Sequence, residues 1–213
     1  NTPAPLKITT TPAPVTPTGV FFRMLRELLL FESLFKSNKW IWLFGYIFHF
    51  AMVLVLIRHI RYFTDPVWDW VSFMQPLGKY AGFLMTIGLV ALWARRFLVD
   101  RVRYISSPSD HLMLALLIGI AFSGLAIKYI NHTDIIQLKI FALGLIYFNW
   151  QPLPSHPILI IHLILVSILM MVFPFSKLLH APGVLFSPTR NQLDNPREYR
   201  HLAAWASKLK THD

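Results

Sequence analysis

Four histidines stand at two fixed spacings on two hydrophobic stretches: His49 and His59 on the first, His162 and His180 on the last. Neutral imidazole is a strong iron ligand. Two imidazoles on opposite faces of a haem saturate the iron, which suits electron transfer rather than oxygen binding. A membrane-crossing helix rises about 1.5 Å per residue over about 20 residues, so it can carry one ligand near each face. The pattern therefore points to two stacked haems forming an electron path through a bilayer.

The elements that would position these residues are legible in the composition. Apolar residues make up 55% of the 213 residues and charged residues 14%, too oily for a domain whose surface faces water. Cysteine is absent, which excludes iron–sulfur ligation, disulfides and covalent c-type haem attachment within this chain. The formal charge of +10 does not point to nucleic acid, because the basic residues cluster beside apolar segments and no DNA- or RNA-reading motif is present. The sequence predicts an all-α integral membrane helical bundle with four visible transmembrane helices, at about residues 40–62, 79–99, 111–131 and 157–179.

Residues 1–37 read as a Thr/Pro-rich arm followed, over 20–37, by an interfacial amphipathic helix. Residues 38–182 read as a di-haem transmembrane bundle, and 183–213 as a basic amphipathic tail suited to docking a cytoplasmic subunit. Arg23, Arg26, Arg95, Arg96, Arg101, Arg103 and the tail cations Arg190, Arg197 and Arg200 fall on one side. The other side has Arg58, Arg61, Lys79, Lys128 and Lys139. By the positive-inside rule the first side, with the C-terminus, is cytoplasmic in a multi-pass protein of the cell membrane. The 132–156 connection, with Tyr147 and Trp150, reads as a long outer loop.

Four alternating spans make the first and last antiparallel, so the early ligand on one is level with the late ligand on the other. The pairs are His49 with His180 and His59 with His162. Ten residues advance about 15 Å and end about 80° short of the same helix face, whereas eighteen are five turns and about 27 Å. A mean separation of about 21 Å fits two haems in a core about 30 Å thick. The competing reading of any single intramembrane histidine is a hydrogen bond to a neighbouring carbonyl.

The run Phe173-Pro174-Phe175-Ser176-Lys177-Leu178-Leu179-His180 resembles the F-P-F-S-[RK]-L-x-H signature of the respiratory nitrate reductase gamma-type cytochrome b family. The Arg95-Arg96-Phe97-Leu98 to Asp110 loop and both histidine spacings are similar to that family as well, and the resemblance covers about residues 31–182. Within it, Phe186-Ser187-Pro188-Thr189-Arg190-Asn191-Gln192 and Asp194-Asn195-Pro196-Arg197 are most similar to the M-subunit branch that accompanies dissimilatory sulfite reductase.

The resemblance implies a five-span di-haem b subunit whose first helix would lie upstream of residue 20 or be absent. It implies two haem b: a proximal one on His49 and His180, and a distal one on His59 and His162 beside a quinol site. Lys79 stands twenty residues after His59, as the family's quinol-site lysine does, and Arg58 could pair with a haem propionate. The implied reaction passes electrons between menaquinol and a cytoplasmic iron–sulfur subunit resembling heterodisulfide reductase, in sulfur or sulfite metabolism. A multihaem cytochrome c and a second quinone-interacting membrane subunit would complete the complex. The rivals are a gamma-type cytochrome b of a nitrate reductase or hydrogenase-like complex, and a haem-less anchor or transporter subunit.

Several residues have a plainer expected role. Asp65, Asp69, His132 and Asp134 could pass protons at the outer end but suit ordinary loop solvation. Gly88, Gly119 and Gly124 suit close approach of a helix or haem. His111, His156, His201 and His212 are assigned to no metal.

Overall fold

Helix formation follows the apolar runs. The computed structural model describes residues 14–187 and 191–193, and among these every regular element is helical. The expected arm before residue 14, the docking tail beyond 193, and His201 and His212 lie outside the described residues.

Helix α1 (Pro17–Leu30) starts with Thr16 accepting the Gly19 N–H through its side chain, and with proline at the first helical position, where no N–H is needed. The sequence predicted one amphipathic helix over 20–37. Instead Phe31 takes a left-handed conformation, φ 51°, and closes α1 by donating its N–H to the Glu27 carbonyl. The short α2 (Glu32–Ser37) then packs its apolar residues against the next helix, with Phe35 edge-on to Trp42 at 4.9 Å. That aromatic contact explains why the chain turns instead of continuing straight.

Four helices are long and apolar enough to cross a membrane: α3 (Lys39–Ile60), α4 (Asp69–Leu98), α6 (Pro108–Tyr129), and α8 (Pro157–Val172) together with the 3-10 turn that follows it. The short α5 (Asp100–Ile105) links α4 to α6. Helix α4 begins ten residues before the predicted 79–99 segment and carries Pro76 within it. Ser72, Gln75 and Pro76 interrupt the apolar run in sequence, while the Gln75 side chain donates to the Val71 carbonyl. The 132–156 connection, predicted as loop, contains α7 (Ile135–Ile146), started by Asp134, whose carboxylate accepts the Ile136 and Gln137 N–H groups. Twelve residues rise about 18 Å, too short to cross a core of about 30 Å.

The last span also differs from its prediction. Its α-helix ends at Val172, and 3-10 turns at Phe173–Phe175 and Lys177–Leu179 precede α9 (His180–Gly183). Proline at 174 has no N–H to continue the helix. His162 and His180 are therefore not five uninterrupted α-turns apart, as the regular spacing had implied.

Within residues 33–177, α3 packs along α4, α4 along α6 and α6 along α8. The buried centre is formed by Phe48 and Ala51 of α3, Ala81, Met85 and Leu89 of α4, and Ile118 and Ala121 of α6. At the end where α6 begins, the buried Asp110 carboxylate accepts from Lys177 at 2.8 Å and from the Ser107 N–H and hydroxyl at 3.0 Å, with Arg96 at 3.6 Å. One carboxylate thus ties α4, α6 and the segment after α8. Asp110→Asn keeps the volume but removes the charge facing two cations. It is expected to lower stability by about 1–3 kcal/mol, read as earlier thermal denaturation of the detergent-solubilised protein.

The described residues before Ser33 and after Lys177 form a second compact unit. In it Arg23 donates to the Gln192 carbonyl at 2.8 Å and Arg26 pairs with Glu32 at 2.9 Å.

Candidate functional site

Helix α3 holds its two histidines by the same device. His49 Nδ1 lies 2.7 Å from the Gly45 carbonyl, and His59 Nδ1 lies 2.7 Å from the Val55 carbonyl, each one turn back. A carbonyl oxygen only accepts, so Nδ1 carries the proton in both and Nε2 carries the lone pair. This is the tautomer that a metal-ligating histidine needs, with the second ring nitrogen anchored to a carbonyl.

His162 reaches the same state through a neighbouring helix. Its Nδ1 lies 2.9 Å from Ser123 Oγ, and that oxygen lies 2.8 Å from the Gly119 carbonyl and 3.0 Å from the Ile120 carbonyl. The serine hydrogen goes to a carbonyl, leaving the oxygen to accept the His162 Nδ1–H. The next residue is Gly124, where a Cβ would stand 3.3 Å from His162 Cε1. Serine therefore fixes the ring's orientation, and glycine leaves the room it occupies.

The rings of His59 and His162 approach with centroids 6.4 Å apart and planes 16° from parallel. Two imidazoles bound to one metal through nitrogens at about 2 Å each have ring centres about 6 Å apart, so the separation would suit two ligands of one metal. Among the described residues no group of three or more His, Asp or Glu side chains gathers to hold a metal ion. A macrocycle that supplies its own equatorial nitrogens therefore fits this pair better than a bare ion.

Among the other sequence-selected residues, Arg58 donates to the Gln75 carbonyl at 3.3 Å and packs against Gly78, where a Cβ would lie 3.1 Å from Arg58 Cβ. That contact puts Lys79 level with His59. The Lys79 side chain is exposed, its ammonium 5.5 Å from the Tyr80 ring centre. Its carbonyl accepts from the Tyr129 hydroxyl at 2.8 Å and Lys128 Nζ at 3.2 Å. His180 is exposed at the start of α9. His111 accepts the Trp93 indole N–H at 3.1 Å, a structural bond. Asp65 pairs with Lys139 at 2.7 Å, and Asp134 is a helix cap.

Gly88 meets the α3 backbone, so its smallness serves helix packing, and Gly119 lies 3.5 Å from Leu165 by the same measure. Ser123 was missed in the sequence, because a lone serine in an apolar span ordinarily bonds only to its own helix. Its one sequence signal is the adjoining glycine.

Ser123→Ala removes the acceptor that holds the His162 tautomer. If the pair ligates haem, retention is expected to weaken by about 10- to 100-fold, while Ser123→Thr keeps the hydroxyl and most of the retention. Haem transfer to an apo-globin acceptor measures both.

Residues 31–201 match the family model described as nitrate reductase gamma subunit. The chain is 38% identical over 210 residues to the Hdr-like menaquinol oxidoreductase cytochrome b-like subunit of Archaeoglobus fulgidus, covering 86% of this chain and 63% of the relative. It is 38% identical over 214 residues to the subunit of the same name from Archaeoglobus profundus, covering 87% of this chain and 63% of the relative. The respiratory nitrate reductase 1 gamma chain of Escherichia coli is 26% identical over 152 residues, 63% of this chain and 68% of that one. The chain thus spans under two thirds of the length of the Archaeoglobus relatives.

Proposed function

Since the chain belongs to the nitrate reductase gamma subunit family, we propose that it is the di-haem cytochrome b subunit of a membrane-bound menaquinol oxidoreductase. The observation that carries this reading is the His59–His162 pair, two anchored imidazoles with ring centres 6.4 Å apart. The names of the Archaeoglobus relatives support menaquinol as the electron donor.

His59 and His162 would hold one haem b, and the sequence assigns His49 and His180 to the second. Haem b, when bound, carries one electron at a time between the donor and the next carrier. The residues of this chain anchor and orient it. The carbonyls of Gly45 and Val55, and Ser123 Oγ, hold the Nδ1 proton of His49, His59 and His162, so that Nε2 is the nitrogen each neutral ring would offer to iron. The surrounding apolar spans exclude water. Lys79 and Arg58 stand at the His59 level, where Lys79 would meet the quinol and Arg58 a propionate. With the basic side of the bundle in the cytoplasm, the C-terminus lies there too, and electrons would leave toward a cytoplasmic iron–sulfur subunit of the heterodisulfide reductase type. Sulfur or sulfite metabolism, a multihaem cytochrome c and a second quinone-interacting membrane subunit complete the proposal, which rests for these on the tail's likeness to the M-subunit branch.

A reduced-minus-oxidised spectrum with a pyridine haemochrome count tests the core of it. Two b haems per chain are expected. One would remove a ligand pair, and none would favour the anchor or transporter reading. Mass identification of the co-purifying subunits separates a heterodisulfide reductase-like partner from a nitrate reductase or hydrogenase-like one.

A further inference from the structure

Past the last turn of α3, a cavity of about 410 Å3 opens between the α3–α4 turn and α7. Its lining divides by chemistry. Arg61, Tyr62, Asp65 and Lys139 are polar, while Ile136, Ile140 and Leu143 present one face of α7 at helical spacing. The position, beside the end of a membrane-spanning helix and under a short helix that cannot span, is that of an interfacial site.

Charge decides what it suits. Lys139 is neutralised by Asp65 at 2.7 Å. Arg61 has no carboxylate partner among the described residues. Its guanidinium lies 5.6 Å from the Tyr62 ring centre and only 3.5 Å from Gln75 Oε1. Behind it, the charged groups acting on Lys128 are Arg58, Lys79 and Arg61, all cations. An anion is stabilised by such a field, and the aliphatic face of α7 suits an acyl chain attached to it.

We propose that this cavity binds the phosphate headgroup of an anionic membrane phospholipid, with Arg61 as its charge partner and Ile136, Ile140 and Leu143 against the first methylenes of an acyl chain. The site rests on the bundle spanning a membrane and not on haem. A guanidinium pairs with phosphate through two parallel N–H donors, so the bond has direction as well as charge. The headgroup would also offset the crowded cations beside His59.

The test uses the purified complex, stripped of lipid in detergent and incubated with phosphatidylglycerol or phosphatidylcholine, with retained lipid counted by native mass spectrometry. One phosphatidylglycerol per chain is expected to survive conditions that remove phosphatidylcholine. Arg61→Gln should cut its retention at least fivefold, and Arg61→Lys, which keeps the charge but loses the paired donors, should retain more than Arg61→Gln and less than the unaltered protein. Ile140→Glu, which sets a carboxylate in the cavity wall, should abolish the selectivity with Arg61 intact. Visible absorbance and thermal denaturation identify the variants that are folded.

Equal retention of both lipids, or unchanged retention in folded Arg61→Gln and Ile140→Glu, overturns the proposal. So does displacement by inorganic phosphate or by a menaquinone analogue, which would make the cavity a phosphate or a quinone site. A colourless preparation that still holds phosphatidylglycerol selectively would reject the cytochrome reading and leave this one standing.

Discussion

His59→Ala and His162→Ala are each expected to remove one haem b per chain, and the double variant no more than either single. The two ring centres lie 6.4 Å apart, and their Nδ1 protons are already committed, one to the Val55 carbonyl and one to Ser123. If the pair holds a haem, removing either ring would leave its iron with one protein ligand, and the remaining ring could not re-form the pair. Non-additivity is therefore the signature of a shared site. The measurement is a haemochrome count on each variant, with redox titration showing whether the same component is lost in both. If the singles remove different components, or the double variant loses two haems, the two histidines do not share an iron. A haem count that stays at two in both would reject ligation at this pair altogether.

The approach of His59 to His162 was legible because it depends only on helix rise and alternating direction, and both follow from the length of the apolar runs. The same arithmetic explains why α3, at Lys39–Ile60, differs from its predicted range by two residues at most. Features set by single side chains were harder to read. Pro76 and Gln75 hid the first ten residues of α4, because a polar, proline-bearing turn looks like a boundary until Arg58 of α3 and Arg61 just past it reach its Gln75 carbonyl and amide. Helix α7 was read as loop because it is too short to span, although Asp134 before an apolar run is a helix-start signal. Pro174 marked the end of α8, yet the regular histidine spacing encouraged a continuous helix through it.

The site shows the same division between pattern and detail. The histidines advertise themselves by type and spacing, while the groups that orient them do not. Backbone carbonyls at Gly45 and Val55 have no sequence signal beyond lying four residues before a helical histidine. Ser123 becomes informative only when α8 places His162 against α6. The cations Lys128 and Arg61, read as topology markers, cluster in the folded bundle with Arg58 and Lys79. That cluster depends on the α3–α4 turn and on Tyr129 and Lys128 bonding to the Lys79 carbonyl.

Gly88→Leu is expected to unfold the bundle or lower its denaturation temperature more than any other single glycine change in the spans. A Cβ at Gly88 would stand 3.1 Å from the Phe44 carbonyl oxygen, 3.1 Å from the Phe48 backbone nitrogen and 3.1 Å from Phe48 Cβ. Two of these atoms are backbone, so no rotamer change relieves the contact and α3 must move away from α4. Between lipid-facing helices there is little hydrophobic force to restore the contact, because association rests on close packing. The displaced face carries Phe48 and Ala51 of the buried centre, and His49 follows Phe48 directly. Overpacking of this kind costs about 1–3 kcal/mol, occasionally more, and leucine adds a branched side chain beyond the Cβ. Gly119 is the internal control, since the nearest atom to its Cβ is Leu165 Cδ1 at 3.5 Å, an ordinary contact at the tip of a flexible side chain. Thermal denaturation of Gly88→Ala and Gly119→Ala side by side should show a clear loss for the first and little change for the second. Equal effects would mean that the α3–α4 approach is not what holds the bundle together.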